Sequence, residues 1–332
     1  MRYVITGGAG YIGSRLVDFL SRHEDTEKIV ICDVAAPKAY VPKTEFERTD
    51  VRDREAVRAT LERAQPDVLV HLAFILKPSH DEALMYDVDV NGTHNVLEAA
   101  GVAGTRQMLV TSSAAAYGAF PDNPVPLTED DPVRGASAFS YARDKTESDR
   151  ICQLWAARYP DRTMTIVRPC MVFGPNADNY LVRLWTGQPF AADPGTLDND
   201  IQFVHEDDVV DAITTLLMGG HGGAYNVAPD EAMKMRECAE LIRSPIRRLP
   251  MRAYRAVARA MWAARLSEAP PGQIDFAVHP WIVSNKKLKS QTGWSPRYTT
   301  RETFEITMRA HGKLPPVGPP AGERAGATLQ NA

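Results

Sequence analysis

Over the first 170 or so residues, apolar positions follow two rhythms that trade places element by element. Residues 3–6 (Tyr3-Val4-Ile5-Thr6) are a short apolar, β-branched run, as expected of a strand buried on both faces of a parallel sheet. Residues 11–23 then carry Ile12, Leu16, Phe19 and Leu20 at helical spacing. The alternation continues, with strands expected at 29–32, 45–49, 67–72, 107–111 and 164–167 and helices at 53–64, 82–100 and 140–158. Crossovers of this length suit right-handed parallel connections, so the pattern predicts an α/β chain with a doubly wound parallel sheet. Past residue 172 the rhythm breaks. Residues 173–200 are rich in Gly, Pro and Asn and predict loops over a cleft; 202–218 read as a short strand, an Asp N-cap and an apolar helix, and 224–227 as another strand. Residues 231–266 read as mostly helical, 299–311 as a last helix, and 314–332 as a disordered tail. The chain so divides into a nucleotide-binding part (1–172, joined by 201–227) and a smaller, mostly helical substrate-binding region (173–200 and 228–313).

Two local constellations give this frame a chemistry. Between the first strand and helix stand Gly7-Gly8-Ala9-Gly10, with Gly7, Gly10 and Gly13 set three apart. No large side chain enters such a turn, and the helix amides and dipole behind it are free to hold a diphosphate. Asp33 ends the second strand, where a carboxylate accepts both adenine-ribose hydroxyls and repels a 2′-phosphate. A Rossmann-type site for NAD, rather than NADP, is the expectation. Tyr141 and Lys145 lie one helical turn apart on one face. An ammonium that close is expected to pull a phenol pKa of ~10 toward neutrality. Ser113, at the carboxyl end of the fifth strand, sits where open α/β sheets hold ligands. Together these residues suit proton exchange beside a hydride transfer.

Composition narrows the partners. At 332 residues, with 44% hydrophobic and 24% charged residues, the chain is an ordinary globular length and mixture. A net charge of −4 gives no overall field for nucleic acid. Cys32, Cys152, Cys170 and Cys238 have no metal-ligand spacing and are expected as buried thiols in a reducing compartment. The cofactor strand begins at once, and no apolar run approaches about 18 residues, so a cytoplasmic chain without an integral membrane segment is expected. His71 reads as a strand-end structural histidine, His205 and Asp207 as fixing a strand-to-helix turn, and Arg168 as bracing the cleft wall. Residues 243–265 hold seven arginines and no acid, with Leu249, Tyr254, Val257, Met261 and Trp262 between them. Such a stretch either docks on a membrane surface or packs on the core with arginine stems outward; the second is the favoured expectation.

The motifs, in order, are TGGAGYIG (6–13), Asp33, DVRD (50–53), HLA (71–73), NGTHNVLEAA (91–100), TSSAAAYG (111–118), YARDK (141–145), RPCMVFGP (168–175), FVHEDDV (203–209), YNV (225–227) and TGWSP (292–296). The chain resembles the extended short-chain dehydrogenases/reductases of the NAD-dependent epimerase/dehydratase superfamily. The resemblance implies a catalytic triad of Ser113, Tyr141 and Lys145, with Asn91 supporting a proton-relay water or the active-site helix. It implies an NAD site lined by Gly7, Gly10, Tyr11, Ile12, Gly13, Asp33, Asp50, Val51, Leu72, Ala73 and Phe74, with Pro169 near the nicotinamide. It also implies a homodimer in which the helices at 82–100 and 141–158 of two subunits form a four-helix bundle.

Three departures bear on the substrate. Met171 stands where relatives acting on nucleotide sugars carry an Asn for the diphosphate, and residues 198–202 (Asp-Asn-Asp-Ile-Gln) stand where they carry a clamping Arg. Ala114 follows Ser113 where sugar dehydratases carry an acidic pair. Phe74, Ile75, Leu76, Met171 and Phe173 suggest an apolar cleft, although Arg183 or an arginine of the basic stretch remains a source for the clamp. The expected function is an NAD-dependent oxidoreductase transferring hydride between NAD and a secondary alcohol or ketone of a fairly apolar small molecule, with Tyr141 as acid/base. The alternative is a nucleotide-sugar epimerase using transient oxidation. A non-catalytic NAD-binding scaffold is a third reading; it predicts a damaged Tyr/Lys pair, and both residues are present.

Overall fold

A computed structural model describes residues 1–135 and 138–316. β1 (Arg2–Thr6) runs through the glycine turn into α1 (Tyr11–Arg22). β2 (Lys28–Asp33), β3 (Thr44–Arg48), α2 (Arg54–Ala64), β4 (Val68–His71), α3 (Glu82–Tyr86), α4 (Gly92–Ala103), β5 (Gln107–Thr111), α5 (Ser140–Arg158) and β6 (Thr163–Pro169) follow. Seven strands form one parallel sheet in the order β3-β2-β1-β4-β5-β6-β11, with β11 spanning Gly223–Val227. The order reverses between β1 and β4, and there an open parallel sheet leaves a crevice at its carboxyl edge.

The strand pattern explains why both faces are covered. Tyr3 and Ile5 of β1 and Ile29 and Ile31 of β2 join the core beneath α1 and α7 (Glu206–Met218). Val4, Val30 and Cys32, one residue out of phase, join the core beneath α2, α4 and α5. Alternate residues of one short run thus seal opposite layers, each fully buried aliphatic contributing about 1.5–3 kcal/mol. Arg168 of β6 is buried and pairs in bidentate fashion with Asp149 of α5 at 2.8 Å, while its Nη1 donates to the Tyr117 hydroxyl. That ion pair ties strand to helix below the cleft wall, as the sequence suggested.

Five expectations need correction. The helix expected at 82–100 is broken by a π turn at Asp87–Asn91 and continues to Ala103. The turn is held open because the Asp89 carbonyl accepts from both Thr93 and Ser148 hydroxyls at 2.6 Å. Residues 173–200 are not merely loops: β7 (Met171–Phe173), α6 (Tyr180–Thr186) and β8 (Ala191–Asp193) lie there or at its edge. α6 starts because the Asn179 side chain accepts from the Leu181 and Val182 amides. β9 (Asp200–Ile201), β10 (Phe203–His205), β12 (Met233–Lys234) and α8 (Met235–Leu241) precede the basic stretch. That stretch is not one helix: β13 (Ile246–Arg248) pairs with β8, and α9 (Met251–Ala263) begins after Pro250. Nor does α9 pack into the core, since none of its residues is buried. Of the tail expected at 314–332, Leu314 packs on a third cluster, and residues 317–332 lie outside the described residues.

That third cluster gathers Phe173, Phe203, Ile201, Met233, Cys238 and Phe304, the last from α12 (Thr300–Ala310). Phe173 and Phe203 stack at 4.4 Å. Between α9 and α12 run α10 (Asp275–Val278) and α11 (Lys286–Thr292). All four cysteines are buried and free, matching the expectation of thiols used as small apolar residues.

Candidate active site

At the glycine turn, backbone lies against backbone. A β-carbon on Gly13 would sit 2.2 Å from the Gly7 carbonyl oxygen, and one on Gly7, whose φ is +70°, would sit 2.6 Å from the Leu72 carbonyl carbon. Only glycine fits at either position. α1 begins at Gly10 with no side-chain cap, so its first amides face the cleft unsatisfied by the chain's own side chains. Asp33 reaches the turn from β2, one carboxylate oxygen accepting the Ala9 amide at 3.1 Å and the other the Ala35 amide at 3.2 Å. A tight cradle, an uncapped helix start and a carboxylate at the next strand end fit a dinucleotide diphosphate and ribose. Gly7, Gly10, Tyr11, Ile12, Gly13, Leu72, Phe74 and Pro169 all line the cleft. Tyr11 spends its hydroxyl on Glu206. Asp50 is tied to Arg52, which holds its carboxyl below the ordinary range. Val51 is buried against Gly92, and Ala73 packs on the neighbouring core.

Ser113, Tyr141 and Lys145 meet in the same cleft. Ser113 follows β5 and caps a short 3-10 turn, its hydroxyl accepting the Ala115 amide at 3.1 Å. Tyr141 and Lys145 come from the first turns of α5, where Lys145 is 3% exposed. The Lys145 ammonium donates to the Thr111 carbonyl at 2.8 Å and lies 3.0 Å from the centre of the Phe74 ring. The expected lowering of the Tyr141 pKa is reversed: burial pushes it up to about 12, against the hydrogen bond to Ser113. The reason is geometric. Lys145 Nζ is 5.9 Å from the Tyr141 ring and turned to a carbonyl and an aromatic face, and burial depresses its own pKa.

Asn91 does not join them. It is exposed in the π turn, donating to Asp87 at 2.9 Å. The turn instead points Asp89 inward. Asp89 is fully buried; one oxygen accepts the Ile75 amide at 2.8 Å and the other has no partner among the described residues. Burial raises its pKa, the Lys145 charge opposes the rise, and Asp89 in turn supports the charged lysine. Sequence reasoning missed this carboxylate, though an acid between Val88 and Val90 was a visible signal. Tyr180 was missed too: it is buried on the cleft wall, and burial together with Tyr141 raises its pKa. His71 is structural, as expected, with Thr6 at 2.6 Å and Thr93 at 3.0 Å on its two ring nitrogens; burial holds it down to about 3. His205, and not the expected aspartate, caps α7, accepting the Asp207 amide.

Beyond the triad the cleft, about 710 Å³ in all, widens among Trp185, Phe190, Leu249, Tyr254, Val257 and Met261. Lys145 is the one charged side chain among the described residues that line it. Met171 is on the wall, while Arg183 is committed to Glu268 at 2.7 Å and Asp178 at 3.1 Å and stands outside. No arginine of α9 turns inward.

Comparison with known proteins gives this architecture a lineage. The family model for the NAD dependent epimerase/dehydratase family matches residues 3–228. The UDP-glucose 4-epimerase of Mycolicibacterium smegmatis is 28% identical, over 93% of this chain and 97% of its own. The GDP-6-deoxy-D-mannose reductase of Pseudomonas aeruginosa is 25% identical, over 92% and 96%. Among solved structures, the UDP-glucose 4-epimerase of Thermus thermophilus in complex with NAD superposes with a TM-score of 0.70 at 26% identity, covering 93% of this chain and 98% of that one.

Proposed function

The chain belongs to the NAD-dependent epimerase/dehydratase family, and from that premise we propose that it moves a hydride between NAD and a secondary alcohol or ketone on a largely apolar substrate. Residues 173–200 and 228–313 are then its substrate-binding region. Gly7, Gly10, Gly13, the start of α1 and Asp33 hold the dinucleotide, and the Asp33 carboxylate disfavours NADP by repelling a 2′-phosphate. Bound there, NAD supplies the acceptor for a hydride leaving the carbinol carbon. Tyr141 Oη, as phenolate, takes the proton of the same alcohol and ends as the neutral phenol, Ser113 Oγ holds that oxygen in line, and the Lys145 ammonium favours the phenolate form that the step consumes.

One observation carries the substrate class: the cleft wall has no arginine, histidine or acid among its described residues. A nucleotide diphosphate buried there would meet a single ammonium, already engaged at the triad, and incur a desolvation penalty without bidentate partners. The test is to supply NAD with a panel of hydrophobic secondary alcohols and, separately, UDP- and GDP-sugars, and to follow NADH. Steady NADH formation from the apolar alcohols supports the reading. Turnover of nucleotide sugars without net NADH sinks it in favour of an epimerase, the reading that the similarity to the mycobacterial UDP-glucose 4-epimerase favours.

We also infer a homodimer through α3, α4 and α5. Leu84, Tyr86, Val102 and Leu154 on these helices are exposed, Leu154 at 71%. Sedimentation should show a dimer that Leu154→Arg shifts to monomer.

A further inference from the structure

The mouth of the cleft has a composition that neither the nucleotide site nor the triad explains. Phe190, Val257 and Met261 each line the cleft and yet are 42%, 50% and 37% exposed, so they mark where it opens to solvent. Leu266, just past α9, is 74% exposed. Arginines frame this apolar rim. β13, with Arg247 and Arg248, pairs with β8 directly after Phe190. In α9, Arg252, Arg255 and Arg259 recur at i, i+3 and i+7, on one flank of the helix beside the apolar face that roofs the cleft.

Of the seven arginines in residues 243–265, Arg255 pairs with Asp275 at 2.8 Å. Arg243, Arg247, Arg248, Arg252, Arg259 and Arg265 make no ion pair among the described residues. A chain whose net charge is −4 thus carries Arg247, Arg248, Arg252 and Arg259, none in an ion pair among the described residues, on the two elements that border this greasy opening. A soluble anionic substrate does not account for them, because they stand outside the cleft. An anionic plane lying across the mouth does: its charge meets the guanidinium groups while its apolar interior meets Phe190, Val257 and Met261.

We propose that the β13–α9 face docks this protein on an anionic phospholipid bilayer, so that the cleft draws its apolar substrate from the membrane rather than from water. This rests on the reading of the cleft as taking an apolar alcohol or ketone. Docking is peripheral, since no described helix is long and apolar enough to cross a membrane. Each arginine near such a surface is worth about fivefold in partitioning, and added salt screens it.

The test pellets the full chain with vesicles of phosphatidylcholine mixed with phosphatidylglycerol, and with vesicles of phosphatidylcholine alone. Binding to the mixed vesicles only, reversed by salt, is expected. The triple variant Arg248→Ser, Arg252→Ser, Arg259→Ser should lower that binding about 100-fold while still forming NADH from a short water-soluble secondary alcohol. Vesicle binding is read without substrate, and the short-alcohol assay without vesicles, so failure of the docking and failure of the oxidoreductase reading are separate results. Three results overturn the docking: no binding to mixed vesicles, equal binding to neutral ones, or a triple variant that pellets like the parent. A rise in KM for an anionic substrate in the triple variant, without vesicle binding, overturns it in favour of a substrate clamp.

Discussion

Two helices border the same cleft and are built on opposite terms. α5 buries nine of its residues, among them Asp144, Lys145 and Asp149, while α9 buries none. α5 carries Tyr141 and Lys145, the pair proposed for the proton transfer, and it is fixed by the Arg168–Asp149 pair and the core beneath α4. α9 offers only an apolar surface to the cleft. The contrast teaches that burial follows the precision a task demands: reacting groups need fixed separations, whereas a greasy wall needs area and little else. Helices held mainly by surface contacts also open at lower free-energy cost, which suits the side of the cleft facing the mouth.

The largest test of this contrast is Tyr141→Phe. Turnover should fall about 10³-fold, the usual weight of a positioned acid/base, with NAD affinity changed less than twofold; stopped-flow and a binding titration read the two quantities, and retained turnover would remove α5 from the chemistry. Next comes Arg168→Leu, which leaves Asp149 buried and unpaired and should cost about 3–5 kcal/mol in urea unfolding. Met261→Asp on α9 is the matched experiment. It should cost under about 1 kcal/mol of stability, and yet raise KM for long apolar alcohols about tenfold. If its stability cost equals that of Arg168→Leu, the two helices are not differently held.

The smallest effect concerns Asp89 and pH. Lys145 is depressed by burial, and Asp89 supports its charge; Asp149 and Cys152 on its own helix act in the same direction, and His71 faces it from β4. Asp89→Asn removes part of that support, so the lysine pKa falls further and the ammonium is lost at lower pH. The alkaline limb of kcat/KM should move acidward by about one unit. An unmoved limb would show that the carboxylate does not sense the lysine.

Much of this was legible in the residues. The glycine turn, Asp33, Ser113, Tyr141 and Lys145 are read by local spacing, because a tight turn and a one-turn helical pair are geometries that adjacent residues enforce by themselves. The doubly wound parallel sheet followed from alternating elements and the handedness of crossovers. Asn91 and Asp89 show where spacing fails: a π turn rotates the helix face, and it depends on hydroxyls from Thr93 and from Ser148 of another helix. The direction of the Tyr141 shift was likewise invisible, since burial is a property of everything that surrounds the phenol.

Short stretches of sequence therefore carried the alternation of strands and helices, the glycine turn and the Tyr141–Lys145 pair proposed for the chemistry, each written in residues close together in the chain. Tertiary structure decided which carboxylate faces the lysine, that Arg183 is committed elsewhere, and that an amphipathic stretch roofs a cleft instead of filling a core. Those outcomes depend on contacts between segments far apart in the chain, and desolvation and pairing at such contacts have no local signature.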